Sequence, residues 1–333
     1  MPTKERDYLF DNYKALLIIL VIMGHFIDPC YTNNQLLYTL KFVIYAFHMP
    51  AFIFISGYFS KKNISWQITF QKILIPYFCF QTIYYLYYKY LLCINSEFVY
   101  QFPKFSLWYL IALFVWKVVT PYFKKIPHHF ILSVVMGLLF GLLPIEGTRF
   151  SISRVVSFYP YFLAGTLFKR EQLTLLRTKK HQIIAGCGIM AYVVFIILFA
   201  DDLELKLRFF YKKVSYADMG LTSLEGIVIR LLCYGVGFFF TYAIAVLMTE
   251  KKNIFSILGT TTMSIYLFHG LFYKFLQFKT NILKTVNTLP ETFFLLAVCV
   301  ALAFIFSIKP FCRLANFFSN IKLPLLGKKG NGT

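Results

Sequence analysis

Ten apolar stretches follow one another along this chain with only short polar breaks between them. They fall at residues 8–30, 36–59, 72–94, 105–120, 129–143, 151–168, 183–200, 223–249, 256–277 and 290–309. A bilayer core takes roughly 20 apolar residues in a helix, and lipid tolerates only structures that satisfy their own backbone hydrogen bonds. The 333 residues are 59% hydrophobic and 14% charged, where soluble domains average about 45–50% and about 25%. The reading is an all-α, polytopic membrane protein of about ten transmembrane helices. The pieces at 105–120 and 129–143 are short for a full crossing and are expected to tilt little or to re-enter.

Charge placement sets the expected orientation. Lysine and arginine gather at 4–6, 61–62, 124–125, 169–180, 251–252 and 309–329, on alternate breaks, while 104, 149, 206–213 and 279–284 carry fewer. The positive-inside bias puts both termini in the cytoplasm and makes the number of spans even. The net charge of +20 follows from this anchoring, and no basic, aromatic-interleaved domain calls for nucleic acid. Residues 1–30 resemble a secretory leader only in outline. Asp28-Pro29-Cys30 follows the apolar run without a small-x-small cleavage site, so a retained first helix is expected. The seven cysteines are scattered, and no Cys/His spacing suggests a metal; they read as packing residues. Residues 1–310 form the membrane domain, and 311–333 read as a basic, disordered cytoplasmic tail. No internal repeat is visible, which weakens an inverted-repeat transporter reading.

Ionisable residues at membrane depth are expensive and default to functional candidates. Asp11, Lys14 and His25 share one stripe of the first helix, with His25 expected roughly 16 Å beyond Lys14 and near the midplane. His48 and His269 lie inside two other spans. Three imidazoles at similar depth point to one polar chamber, and imidazole suits a general base near neutral pH. Lys14 and Lys72 stand at the inner ends of their spans. Arg154, Glu225 and Arg230 stand near outer ends, as a mixed-sign cluster suited to a hydroxyl-rich ligand. Lys41, Lys89, Lys117 and Lys274 are expected to snorkel. Ser56-Gly57 reads as a close-packing site between helices.

The run Asp11-x-x-Lys-Ala-x-x-Ile-x-x-Val-x-x-Gly-His25 resembles the first-helix signature of the acyltransferase-3 family of membrane acyltransferases, in particular its fucose 4-O-acetylase-like and polysaccharide-modifying branch. Phe47-His-Met-Pro-Ala-Phe-Ile-Phe-Ile-Ser-Gly-Tyr58 is similar to the second-helix motif. Lys72-Ile-Leu-Ile-Pro-Tyr77, Leu107-Trp-Tyr-Leu, Phe158-Tyr-Pro-Tyr-Phe-Leu-Ala-Gly165 and Ser264-Ile-Tyr-Leu-Phe-His269 follow in the family's order. The resemblance implies a multi-pass enzyme of the bacterial cell membrane. It would carry an acyl group from cytoplasmic acetyl-CoA, or another acyl-CoA, to a hydroxyl of a polysaccharide or lipid-linked sugar, with no metal. His25 would be the general base. Asp11 is nominated beside it, placed to hold Lys14 rather than to touch His25. Lys14, standing where many members have arginine, and Lys72 would dock the CoA phosphates. His48, Arg154, Glu225, Arg230 and His269 would receive the acceptor. The alternative is an exporter of a glycan or lipid-linked sugar.

Overall fold

The computed structural model describes residues 6–144, 149–199 and 204–321, and these fold as helices and their connections with no strand. Helix α1 (Tyr8–Phe26) opens on Asp7, whose carboxylate accepts from the Leu9 N–H, and ends at the turn leading to Pro29. Helix α2 (Gln35–Tyr58) opens on Asn34, whose side chain accepts from the Leu37 N–H at 3.1 Å. Such caps satisfy amide groups that a helix start leaves without an intrahelical partner. The third expected span starts earlier than its hydropathy suggests. Helix α3 (Trp66–Thr69) passes through a π turn at Phe70–Leu74 into α4 (Ile75–Leu86), and a second π turn extends it to Leu91.

Helices α5 (Trp108–Phe123), α6 (His129–Leu139), α7 (Ile152–Leu167), α8 (Arg170–Leu176), α9 (Lys179–Phe199) and α10 (Glu204–Tyr211) follow. The chain then forms α11 (Ser223–Leu247), α12 (Thr262–Lys279), α13 (Leu289–Phe306) and α14 (Lys309–Ser319). Every expected span overlies a helix. Five of them, α1, α2, α9, α11 and α13, are long and apolar enough to cross a bilayer on length and composition. Helices α5 and α6 are shorter, and the 3-10 helix Ile254–Thr260 meets α12 at a bend of 86°.

Burial separates centre from rim. In their most apolar windows α1 is 72% and α2 67% buried, against 11% for α9, so the first two helices form the core and α9 sits at the periphery. The start of α1 is tied down by polar contacts as well as packing. The Asn12 side-chain amide donates to the Thr249 and Lys251 carbonyls, both at 2.9 Å, and its oxygen accepts from Ser256 at 2.6 Å.

One very close crossing is between α2 and α7. A Cβ added at Gly57 would lie 2.0 Å from the Phe162 carbonyl oxygen, and one at Gly165 would lie 1.9 Å from that of Phe54. The two helices therefore touch backbone to backbone, which is the close-packing role the Ser56-Gly57 pair suggests.

The expected tail is different at its beginning. Residues 309–319 form α14, whose Phe311 packs on Phe268 of α12 and whose Phe318 packs on Phe80 of α4. Apolar residues at helical spacing, Phe311, Ala315 and Phe318, explain this: they have a surface to cover, so the segment is held. The remainder of the expected tail, 322–333, lies outside the described residues, as do Lys4, Lys322, Lys328 and Lys329 of the charge count.

Gly57→Val should force α2 and α7 apart and lower the thermal midpoint of the detergent-purified protein. Overpacking typically costs about 1–3 kcal/mol and more where backbone is the obstacle. An unchanged melting curve would show that the contact does not hold the bundle.

Candidate active site

A chamber of about 400 Å³ opens among α1, α2, α5, α7 and α12. Helix α1 supplies Ile18, Val21 and His25, with Asp28 just past its end; α2 supplies Tyr45, His48, Met49 and Phe52. The segment entering α5 gives Phe105, Ser106, Trp108 and Tyr109, α7 gives Arg154 and Phe158, and α12 gives Tyr266, Tyr273, Lys274 and Gln277. Tyr211 and Lys213, at the end of α10, complete the wall. The volume falls within the roughly 300–1,000 Å³ of ordinary ligand sites.

His25 lies in the last turn of α1, not midway along a span, because the helix stops at Phe26. Its ring lies 4.4 Å from Phe105 and 5.6 Å from His269, centroid to centroid. His48 and His269 are both anchored through Nδ1, to the Ile44 carbonyl at 2.6 Å and the Ile265 carbonyl at 3.0 Å. A carbonyl only accepts, so each Nδ1 carries the proton and each Nε2 is left as an acceptor. The His269 Nε2 is buried and has no partner among the described residues. The expected grouping holds for His25 and His48, which share the chamber, with His269 stacked against His25.

Asp28 was passed over by sequence reasoning except as the end of the first span. Its carboxylate pairs with Lys41 Nζ at 2.6 Å, and that ammonium also lies 3.3 Å over the Tyr31 ring. Lys41 is 3% exposed, so it does not snorkel; a carboxylate and a ring hold it inside. Lys274 does not snorkel either, since it lines the chamber with its Nζ donating to Gln277 Oε1 at 2.8 Å.

The expected trio Arg154, Glu225 and Arg230 does not assemble. Arg154 lines the chamber, its guanidinium 4.8 Å over Trp108 and its Nε donating to the Tyr211 carbonyl at 3.2 Å. Glu225 is exposed at the start of α11, where it closes a capping box by accepting from the Thr222 N–H and hydroxyl. Arg230 is fully buried, donating to the Gly137 carbonyl at 3.1 Å and to Ser157 at 3.3 Å under the Tyr216 ring. These are a helix cap and a cross-link between helices. Neither lines the chamber.

Asp11 and Lys14 lie at the other end of α1. Asp11 accepts from Arg6 at 2.6 Å and pairs with Lys14 at 3.0 Å, the contact its register suggests, and it does not line the chamber. Lys72 is exposed on the first π turn. The lysines that do converge are others. Lys61, Lys62, Lys117 and Lys124 border a small cavity of about 30 Å³ with Ser60, Thr69 and Thr120. Burial pushes the Lys124 ammonium below its ordinary pKa, and Lys61 adds to the shift. Burial likewise lowers Lys61, with Glu171 opposing it and Lys169 reinforcing it.

This pocket and the chamber lie in line between α2, α5 and α7. Phe162 borders the pocket and Phe158, one turn earlier, borders the chamber. Between them the Ser56 hydroxyl meets the Tyr109 hydroxyl at 2.6 Å. Sequence reasoning missed the arrangement because its parts come from three separated segments. The one local cue was Ser56-Gly57, read for packing alone.

A strap covers one side of the chamber. Lys212 is buried with its Nζ over three rings, Phe158, Tyr161 and Tyr234, at 4.0–4.6 Å, and donates to the Ser157 carbonyl at 3.2 Å. Ser153 donates back to the Lys212 carbonyl at 3.0 Å. These contacts fix Tyr211 and Lys213 against the chamber.

Apolar helices thus surround a chamber that pairs histidines with aromatic and cationic walls. Residues 7–308 match the model of the acyltransferase-3 family, described as an acyltransferase domain. The chain belongs to that family. Among curated proteins it is 41% identical over 63 residues to the nodulation protein NolL of Sinorhizobium fredii, a match covering 18% of this chain and 17% of that protein. NolL of Mesorhizobium japonicum is 42% identical over 65 residues, covering 19% and 17%. The chain thus matches less than a fifth of the length of these relatives. No solved structure matches it.

Arg230→Met should lower abundance and melting temperature, because it strips a buried cross-link of its donors. The apparent KM for acceptor in the folded fraction should stay at the wild-type value. A raised KM with wild-type stability would return Arg230 to the binding site.

Proposed function

We propose that this protein is an O-acetyltransferase that moves an acyl group from cytoplasmic acyl-CoA to a hydroxyl of a cell-surface or exopolysaccharide sugar. The observation that carries the reading is that a lysine-lined pocket and a histidine-bearing chamber both lie between α2, α5 and α7, on either side of the Ser56–Tyr109 contact. Family membership supports acyl transfer. The donor, the acceptor and the residue roles are the further step.

In this reading the protein sits in the bacterial plasma membrane, with both termini and the lysine pocket facing the cytoplasm. Lysine ammonium groups suit phosphate as point charges, and Lys61, Lys62, Lys117 and Lys124 border one pocket that Lys14 and Lys72 do not line. Lys14, held by Asp11 and lying 5.2 Å from the Phe59 ring just before this segment, contributes to the field at the same end. The pantetheine arm then passes Ser56 and Tyr109 and brings the thioester carbonyl beside His25. The acceptor enters from the opposite end.

His25 takes the proton from the acceptor hydroxyl as its oxygen attacks the thioester carbonyl. The new C–O bond forms, the C–S bond breaks, and CoA leaves as the thiolate, which the proton held on His25 neutralises. His48 presents Nε2 as a hydrogen-bond acceptor for a second hydroxyl of the sugar, since its Nδ1 is committed to Ile44.

Purified protein given acetyl-CoA and an oligosaccharide acceptor should release CoA and add acyl mass to the glycan. His25→Ala should lower this by about 10²–10⁴, the usual range for loss of a general base, with membrane insertion unchanged. Near-normal transfer by the inserted variant would remove His25 from the mechanism. Glycan movement across vesicles without CoA release would instead make the protein an exporter.

Replacing Lys61 and Lys124 together by glutamine should raise the KM for acyl-CoA by about tenfold, the factor for roughly 1.4 kcal/mol of lost binding, while kcat holds. An unchanged KM would move the phosphate dock back to Lys14 and Lys72.

A further inference from the structure

The charges around the chamber do not balance. Arg154, Lys213 and Lys274 line it, and the carboxylate that lines it, Asp28, is ion-paired with Lys41 at 2.6 Å. None of the three lining cations forms an ion pair among the described residues. Asp28 also acts on Lys274 through space, but one acid stands among four cations once Lys41 is counted.

Arg154 is held in a way that leaves its recognition face available. Its Nε is committed to the Tyr211 carbonyl and its plane is braced by Trp108. The two outer Nη groups have no hydrogen-bond partner among the described residues. Such a fork matches a carboxylate or phosphate bidentately. Lys213 follows two residues after Tyr211 on the same strap, and it is exposed. Beside these cations the chamber offers the ring of Tyr211, a flat apolar face of the kind on which sugar rings rest.

We propose that the acceptor is an anionic saccharide, whose carboxylate or phosphate is bound by the Arg154 fork with Lys213 and Lys274 while its reacting hydroxyl faces His25. This rests on the acyl-transfer reading for the meaning of the hydroxyl, but the anion subsite is defined by the charges alone. The shared chemistry is an oxyanion on the sugar or on its linkage. A sugar acid and a sugar phosphate separate the two sources.

The test measures binding to the purified, detergent-solubilised full chain by calorimetry, with glucuronate, glucose 1-phosphate and neutral glucose as probes. At least one anionic probe should bind about tenfold tighter than glucose, as a charge-assisted bidentate contact implies. Arg154→Gln should abolish that preference. Lys213→Glu, at an exposed position that folding does not need, should reduce it several-fold, and acyl-CoA binding should be unchanged in both variants. Tighter binding of glucuronate assigns the carboxylate to the sugar; tighter binding of glucose 1-phosphate assigns a phosphate linkage. Equal or undetectable binding of all three, or a preference that survives both substitutions, overturns the proposal. Because no probe is turned over, the preference is read independently of catalysis: anion preference in a protein that releases no CoA in the oligosaccharide assay would refute the transferase reading and leave the subsite standing. CoA release to neutral glycans with no anion preference would do the reverse.

Discussion

The direct backbone contact between α2 and α7 is the constraint on which the site depends. With glycine at 57 and 165 the helices meet at the level of Phe54 and Phe162. That level divides the molecule: His48 and Arg154 lie on one side of it, Ser60 and the lysine pocket on the other. Any side chain larger than hydrogen at the crossing would widen this division. The third wall, α5, is joined to α2 at the same level by one hydroxyl–hydroxyl contact, Ser56 to Tyr109. One seam of the division is therefore fixed by backbone and the other by this hydrogen bond together with the edge-to-face contact of Phe52 on Tyr109.

Charge in this protein is managed by location. Where a cation is fully buried it has rings and carbonyls around it, as at Arg230 and Lys212; where it meets a carboxylate, as at Lys14 and Lys41, the pair holds a helix end or a turn. The cations that line the two cavities, Arg154, Lys213 and Lys274 at one and Lys61, Lys62, Lys117 and Lys124 at the other, have no carboxylate partner among the described residues. Desolvating a charge is expensive, so cations at a cavity wall keep a solvated face that a ligand of opposite sign can take over.

The parts legible in the sequence were those written locally. The apolar runs gave the all-helical architecture, and the register of α1 gave the Asp11–Lys14 contact. Ser56-Gly57 gave a close crossing without naming its partner. The parts that were not legible depend on tertiary position. Arg230 in an apolar run reads equally as a vestibule residue or a buried cross-link, and Glu225 three residues after Thr222 carried a capping-box signature that was read as binding chemistry instead. Lys117 and Lys274 looked like snorkelling residues because their own helices say nothing about neighbours. The end of α1 was overrun by hydropathy, which continued to residue 30 while Pro29 was already ending the helix. The beginning of the tail was misread because its net charge hid the helical spacing of Phe311, Ala315 and Phe318.

Lys212 gives the strap a property that its neighbour Lys213 lacks. The Lys212 ammonium is 2% exposed and sits among rings, where mobile ions do not reach it. Lys213 is exposed at the chamber wall, within reach of the ionic atmosphere, whose screening length is about 8 Å at physiological salt. Ionic strength therefore acts on one of two adjacent residues and not on the other. The strap keeps its seat across a range of salt that progressively silences the attraction its surface exerts. Geometry and long-range electrostatics, usually varied together, are separable in this segment by the composition of the buffer alone.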